Sequence, residues 1–439
     1  GDLALTSSSL VDASDPFNSA SEFEGRVGAD LKYGLGPNLT LDATVNPDFG
    51  QVEADPAIVN LSAFETFFPE RRPFFTEGAN LLSDHNLPGY FYSRRIGASP
   101  HGSADGDYVD APDVSTILGA AKLTGRLGSG LSIGTLAALT SAESATTFDA
   151  AANRFAETRV EPTTGFGVLR LQQEFGTNQS TVGLTGTMVA RSFASDDPTR
   201  DILAANAFTG GGDFNLRFDG GTYELRGHAG LSYVRGSAEA IAGIQQSSAH
   251  YFQRPDQDHV DFDPARTSLL GATASVAVSK NAGDHWLWNA GVWGDSPGLE
   301  LNDAGRLGRA DDLQSWGGLT YRETDPGPLF RNYDVGLRTE SGWNFGGART
   351  GTNFSLNANG QLRSYWQINV RAEHDLPAMD DRLTRGGPLM GRDAFQSASV
   401  RLSNNYASAV RFGVNLFWGN LHHGDDYEIG FDVNFEPTD

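Results

Sequence analysis

The chain has no cysteine, only three methionines, and no apolar run long enough for a membrane helix. Lack of cysteine excludes a disulfide framework, a thiol nucleophile and a thiolate metal centre. Without about 20 consecutive apolar residues, a bundle of membrane helices is excluded as well. Cations are scarce, since 32 Lys and Arg face 55 Asp and Glu for a formal charge of -23. That balance excludes a general nucleic-acid surface, which needs a net basic stripe against phosphate. There is no His-Glu-x-x-His and no phosphate-binding glycine loop, so no catalytic residue and no cofactor is expected.

What the chain does have is alternation. In Tyr427-Glu428-Ile429-Gly430-Phe431-Asp432-Val433-Asn434-Phe435 the apolar residues fall on one face and the polar ones on the other, the period of a strand. Leu39, Leu41, Ala43 and Val45 oppose Asn38, Thr40, Asp42 and Thr44; Val410, Phe412, Val414, Leu416 and Trp418 oppose Arg411, Gly413 and Asn415. A soluble sandwich also alternates. Charged and amide residues recur on the second face strand after strand, as in a polar lumen behind a lipid-facing band. The mean hydropathy of -0.35 does not oppose this, because a barrel hides polar residues in its lumen and loops. The 53 glycines and 10% aromatic content suit short strands and tight turns. The expected fold is therefore all-β, an antiparallel transmembrane β-barrel of about 16–18 strands.

Strand windows run from 2–10, 25–35 and 37–46, through 115–127, 130–142, 164–176, 179–193, 204–219, 221–235, 266–281, 284–295, 312–324, 329–345, 350–364 and 365–374, to 395–405, 408–419 and 425–436. Short connections such as 34–37, 128–130 and 219–222 read as periplasmic turns, and 142–163, 194–203, 235–265 and 375–394 as extracellular loops. Trp286, Trp288, Trp293, Trp316, Trp343, Trp366 and Trp418 lie mostly near strand ends or on the apolar face, where a headgroup girdle places them. The expected location is the bacterial outer membrane, with lipid bilayer and lipopolysaccharide as surroundings. The chain starts Gly1-Asp2-Leu3 and ends Glu436-Pro437-Thr438-Asp439, so a trimmed N-terminus and closing strands beyond Asp439 are expected.

Residues 47–113 break the rhythm. A short helix capped by Asn60 or Ser62 and stopped by Pro69 is expected there, with a strand resuming near Phe91–Ile96. Five phenylalanines between Phe64 and Phe75 argue against disorder. An insertion of this length belongs inside a barrel, as a plug.

The string from Thr40-Leu41-Asp42 through Asn46-Pro47-Asp48-Phe49 and Glu53-Ala54-Asp55-Pro56 to Phe64-Glu65-Thr66-Phe67-Phe68-Pro69-Glu70-Arg71-Arg72-Pro73-Phe74-Phe75, then Phe91-Tyr92-Ser93-Arg94-Arg95-Ile96-Gly97, resembles an uncharacterised family of bacterial outer-membrane barrel domains. The resemblance implies a barrel of unknown activity, usually C-terminal to a family-9-like carbohydrate-binding module and sometimes labelled a hydrolase. That module has no counterpart in residues 1–439, so its carbohydrate role does not carry over.

The insertion holds Asp48, Glu53, Asp55, Glu65, Glu70 and Glu77 with Arg71, Arg72, Arg94 and Arg95. Arginine forks could clamp inward-facing carboxylates and fix a constriction. The same groups could line a solute path and select by charge, and paired carboxylates could cleave a glycoside. No metal site is expected: Asp48, Glu53 and Asp55 lack calcium-loop spacing, the loop with Asp256, Asp258, His259, Asp261 and Asp263 reads as solvated, and His422-His423 beside Asp425-Asp426 as a polar turn. Three functions stay open: a plugged or gated channel for small polar solutes, a glycan-binding surface barrel, and a carbohydrate hydrolase. Oligomeric state is not legible.

Overall fold

The computed structural model describes residues 3–6, 15–17, 24–47, 59–60, 62, 65–82, 89–405, 407–421 and 424–435. Seventeen of its strands form one antiparallel sheet. In chain order they are β1 (Ala29–Gly34), β2 (Leu39–Val45), β3 (Ile117–Arg126), β4 (Leu131–Thr140), β5 (Thr163–Phe175), β6 (Ser180–Ser192), β7 (Asn206–Phe218), β8 (Tyr223–Arg235), β9 (Ser268–Lys280), β10 (Trp286–Asp295), β11 (Asp312–Glu323), β12 (Phe330–Trp343), β13 (Arg349–Leu362), β14 (Gln367–Asp375), β15 (Phe395–Ser403), β16 (Val410–Leu421) and β17 (Gly424–Phe435). Each neighbours the next in sequence, and the order returns to its start with β17 beside β1. An odd count of alternating strands makes β1 and β17 run in the same direction.

Every connection at one end of the sheet is short and all the long ones lie at the other, so the strands have a turn end and a loop end. One sheet face exposes Leu31, Leu184, Leu231, Leu337 and Leu416; the other buries Asp42, Lys122, Arg170, Asp213, His228 and Ser232. This inverts a soluble protein, in which charged groups face water and aliphatic ones the core. Aromatics gather on the apolar face at the turn end. Trp286 packs on Tyr321 at 5.0 Å and Tyr321 on Tyr333 at 6.0 Å, with Tyr223 and Trp288 6.5 Å apart beside them. Towards the loop end Phe208 pairs with Tyr233 and Trp418 with Tyr427.

Outside this sheet the structure departs from the sequence expectations at four places. The first window, 2–10, yields Leu3–Thr6, which pairs with Glu24–Val27 in a separate two-stranded sheet. Residues 143–161, expected as loop, form a hairpin of Glu143–Asp149 with Arg154–Glu161, extended by Tyr108–Asp110. The expected strand near Phe91–Ile96 is instead a 3-10 turn over Ser93–Arg95, closed by Arg95 N–H to Tyr92 O and Ile96 N–H to Ser93 O. The expected helix before Pro69 is absent over residues 65–72, and a one-turn α1 (Pro73–Thr76) follows them. Pro73 at its first position presets helical φ and gives up no needed donor, while the Asn60 carboxamide accepts from Ser62 N–H in a turn at 2.9 Å. Between β8 and β9, α2 (Ala238–Gln246) is capped by the Ser237 hydroxyl on Ala240 N–H. Among the described residues no helix is long and apolar enough to cross a membrane.

Candidate functional site

The insertion leaves the loop end of β2, returns to the loop end of β3, and packs on the polar face between them. Lys122, with no side-chain exposure, donates to the carbonyls of Phe74 and Glu77 and lies 3.7 Å from Asp42. Lys32 reaches Glu77 at 2.6 Å. The segment extends towards the turn end, because Leu81 sits so close to Gly134 of β4 that a Cβ there would lie 2.2 Å from the Leu81 carbonyl oxygen. Gly78 takes φ +64 and lies against Thr124. Phe75, Leu82 and Ile96 join Ile117, Leu136, Val189, Val234 and Ile241 in one buried apolar cluster, sealing the insertion to strands and α2.

Tyr90 marks the far wall. Gly211 and Gly230 face each other across β7 and β8, and the phenol fills the notch left by their missing side chains, 1.9 Å from where a Gly230 Cβ would stand. The ring is buried, and among the described residues its hydroxyl has no partner within hydrogen-bond reach. Burial, with Asp295 and Asp213 near, raises its pKa.

The two closed arginine forks of the insertion grip its own carboxylates. Arg72 takes Glu70 through Nε (2.9 Å) and Nη2 (2.7 Å), and also donates to the carbonyls of Ile96 and Ser93. Burial pushes the Glu70 pKa up, but hydrogen bonds from Arg72 and Ser93 and the Arg72 charge outweigh it and hold the carboxyl at about 2. Arg95 grips Glu65 with both Nη atoms, at 2.9 and 2.6 Å, while its Nε donates to Gly305 O. Arg94 donates to Pro69 O, and Arg71 N–H to Glu70. Clamps of Arg72 or Arg95 on wall carboxylates are not what these contacts show; the wall supplies cations, Lys32 and Lys122, to the insertion. Asp48, Glu53 and Asp55 lie outside the described residues, as do His422 and His423.

At the loop end, the insertion meets the connection between β10 and β11. Tyr92 N–H donates to Ala304 O, Arg306 N–H to Gly89 O, and Arg306 Nη2 to Glu65 O at 2.8 Å. Arg306, Phe67, Tyr92 and Arg95 stack as cation, ring, ring, cation, at 5.5, 5.5 and 5.7 Å. Beside this stack lies a cavity of about 370 Å³ lined by Glu65, Arg95, Arg191, Glu300, Asp303 and Arg306, and by Gly243 of α2. Its volume is at the low end for ligand sites. Arg191, nearly buried, pairs with Asp303 at 2.5 Å. Glu300 is buried, accepts from Asn302 N–H at 2.6 Å, and is pushed up to about 7 chiefly by that burial. His250 behind it donates from Nε2 to Leu299 O at 3.0 Å and is lowered by burial to about 4, so it is neutral and its Nδ1 is left to accept from the Ser247 hydroxyl.

The profile of a family described as a domain of unknown function, DUF5916, matches residues 6–438. The chain belongs to that family. No curated protein matches it. Solved structures similar to this DUF5916 chain include the FrpB iron transporter of Neisseria meningitidis in apoprotein form (10% identity, TM-score 0.30, 90% of this chain and 65% of that one). A mutant of the ferric enterobactin receptor PfeA of Pseudomonas aeruginosa gives 10% identity and TM-score 0.29 over 90% and 72%. The open form of the ferric-catecholate import receptor Fiu of E. coli K12 gives 11% and 0.30 over 98% and 75%. This chain thus spans about two thirds of the first of them. Superpositions this loose leave the site to be read from the DUF5916 chain itself.

Its Glu65 and Glu70 are poor candidates for glycosidase acid and base, since guanidinium groups grip both, and Glu70, held at about 2, lacks the raised pKa a general acid needs. Gly130-Leu131-Ser132-Ile133-Gly134 fits the Gly-x-Ser-x-Gly string, but it runs from a turn into β4, with Ser132 opposite Arg126 and Gln172; a nucleophile elbow runs from strand to helix. Among the described residues no three His, Asp or Glu could hold a metal. In the Asp-rich loop, Asp256 accepts from Leu389 N–H, Asp263 from Ala265 N–H, and His259 meets Asp311 at 2.8 Å. Arg191, Glu300, Asp303 and Arg306 escaped the sequence reading because Arg191 lies at the end of β6 while the other three sit in the connection after β10, with Asp303 112 residues from Arg191. Only the density of charge in Glu300–Arg309 could have pointed there.

Proposed function

We propose that this DUF5916 domain is an outer-membrane β-barrel whose insertion plugs the lumen, and that it admits or captures small polar solutes from the loop side. The observation that carries the reading is the inverted sheet with the insertion packed on its polar face. Its apolar face supports a membrane setting. Tyr223 and Tyr233 of β8 are ten residues apart; at about 3.3 Å per residue and a tilt of about 40°, that separation is ~25 Å along the normal, the height of an outer-membrane apolar band. The order returning from β17 to β1 supports closure. Lys122, Lys32 and Tyr90 hold the insertion to opposite stretches of wall, as a plug needs. A glycan or a hydrolytic role draws no support from Glu65 and Glu70. Planar-bilayer conductance of the protein with and without residues 47–113 tests the proposal. Current that rises on deletion supports a plug; equal current in both forms overturns it.

A further inference from the structure

We propose that the cavity between the insertion and the connection 296–311 binds a small anionic solute, with Arg306 as the receiving charge. This deepens the reading of a barrel open to solutes at its loop end, and rests on it. The argument is one of charge balance. Arg95 is met by Glu65 and Arg191 by Asp303, whereas among the described residues Arg306 has no carboxylate within 4.0 Å. Its guanidinium spends Nη2 on the Glu65 carbonyl and otherwise lies over the half-exposed Phe67 ring. Glu300, the remaining carboxyl of the lining, is buried and holds its proton into the neutral range, so it offsets Arg306 only in part. A cavity with a surplus cation in a chain of formal charge -23 is a local exception, and general acidity does not explain it. A guanidinium presents paired donors that match a carboxylate.

Glucuronate and glucose make a matched pair of probes, alike in ring and different in one carboxylate. Titration calorimetry of the whole chain in detergent near pH 7 is expected to show glucuronate binding and glucose binding at least tenfold more weakly. Arg306→Gln is expected to weaken glucuronate ~10–100-fold, the range for losing a charge-assisted hydrogen bond. Gly243→Leu fills the cavity from α2, where nothing lies within 4 Å of an added Cβ, and is expected to abolish binding without touching Arg306; it serves as the test if Arg306→Gln does not fold. Equal binding of both sugars, unchanged binding in a folded variant, or no binding of glucuronate overturns the site. Conductance separates the two readings: binding without current in any form keeps the site and removes the channel, and plug-dependent current without binding does the reverse.

Discussion

Single side chains in this molecule disclose what its interior tolerates. The Tyr90 hydroxyl is buried without a partner among the described residues, and such a group carries a desolvation cost of about 1–3 kcal/mol. Tyr90→Phe is therefore expected to raise stability by ~1 kcal/mol, whereas Gly230→Ala, whose Cβ would collide with the phenol, is expected to lower it by more. The temperature at which the folded form loses its distinct gel mobility measures both, and the idea fails if the two changes act alike. Glu300 gives the pH counterpart. Its folded pKa of about 7 lies above the ordinary 4.5, so the folded state binds the proton more tightly and loses stability as pH rises from about 4.5 to 7. Glu300→Gln keeps the acceptor for Asn302 and cannot ionise. Its advantage over the parent should be near zero at pH 4.5 and grow to on the order of 3 kcal/mol above pH 7; melting curves at pH 5 and 8 that shift equally would refute it. Glu70 has the opposite sign: held at about 2, it contributes above pH 4.5 and that contribution is lost as pH falls towards 2.

At the scale of elements, the insertion is fastened by few bonds, and Lys122 is central among them. It caps the carbonyls of Phe74 and Glu77 at the end of α1, so Lys122→Met leaves two carbonyls without a donor while filling the same volume. The expected result is an intact sheet with a loosened insertion, seen as faster proteolysis between residues 65 and 97 at unchanged strand content; equal proteolysis rates would show that the apolar cluster alone holds it. Such anchoring was half legible in the sequence. Alternation located the strands, since each of β1 to β17 overlaps one expected window and overruns it by two residues at most, because a period of two needs only local residues. The insertion stood out for the opposite reason: Phe67-Phe68 and Pro69-Glu70-Arg71-Arg72-Pro73 fit no period. Which partner each charge takes was not legible. Arg95 meets Glu65 thirty residues away and Gly305 210 residues away, and nothing local fixes such pairs. The strand expected at Phe91–Ile96 failed because tertiary hydrogen bonds from Arg94 and Arg95 overrode β-prone aromatic residues.

For the whole molecule, the question is which solvent faces the apolar side, and one pair of substitutions decides it. Leu416 in β16 is half exposed on the apolar face, while Asn415 beside it points to the polar face. If water surrounds the sheet, Leu416→Arg is an ordinary surface change worth at most ~0.5 kcal/mol. If lipid surrounds it, the same change costs ~2–4 kcal/mol near the midplane. Asn415→Arg adds equal charge to a face that already carries Arg401 and Arg411 and is expected to be mild in either solvent. Leu416 lies in the middle of β16, opposite Val400 and Ile429, where an aliphatic band is deepest. Refolding into lipid vesicles, read as the fraction reaching the folded mobility, should therefore drop for Leu416→Arg and hold for Asn415→Arg. Equal yields would mean that the exposed leucines, valines and tyrosines face water, and the inverted sheet would then need a covering partner in place of a membrane.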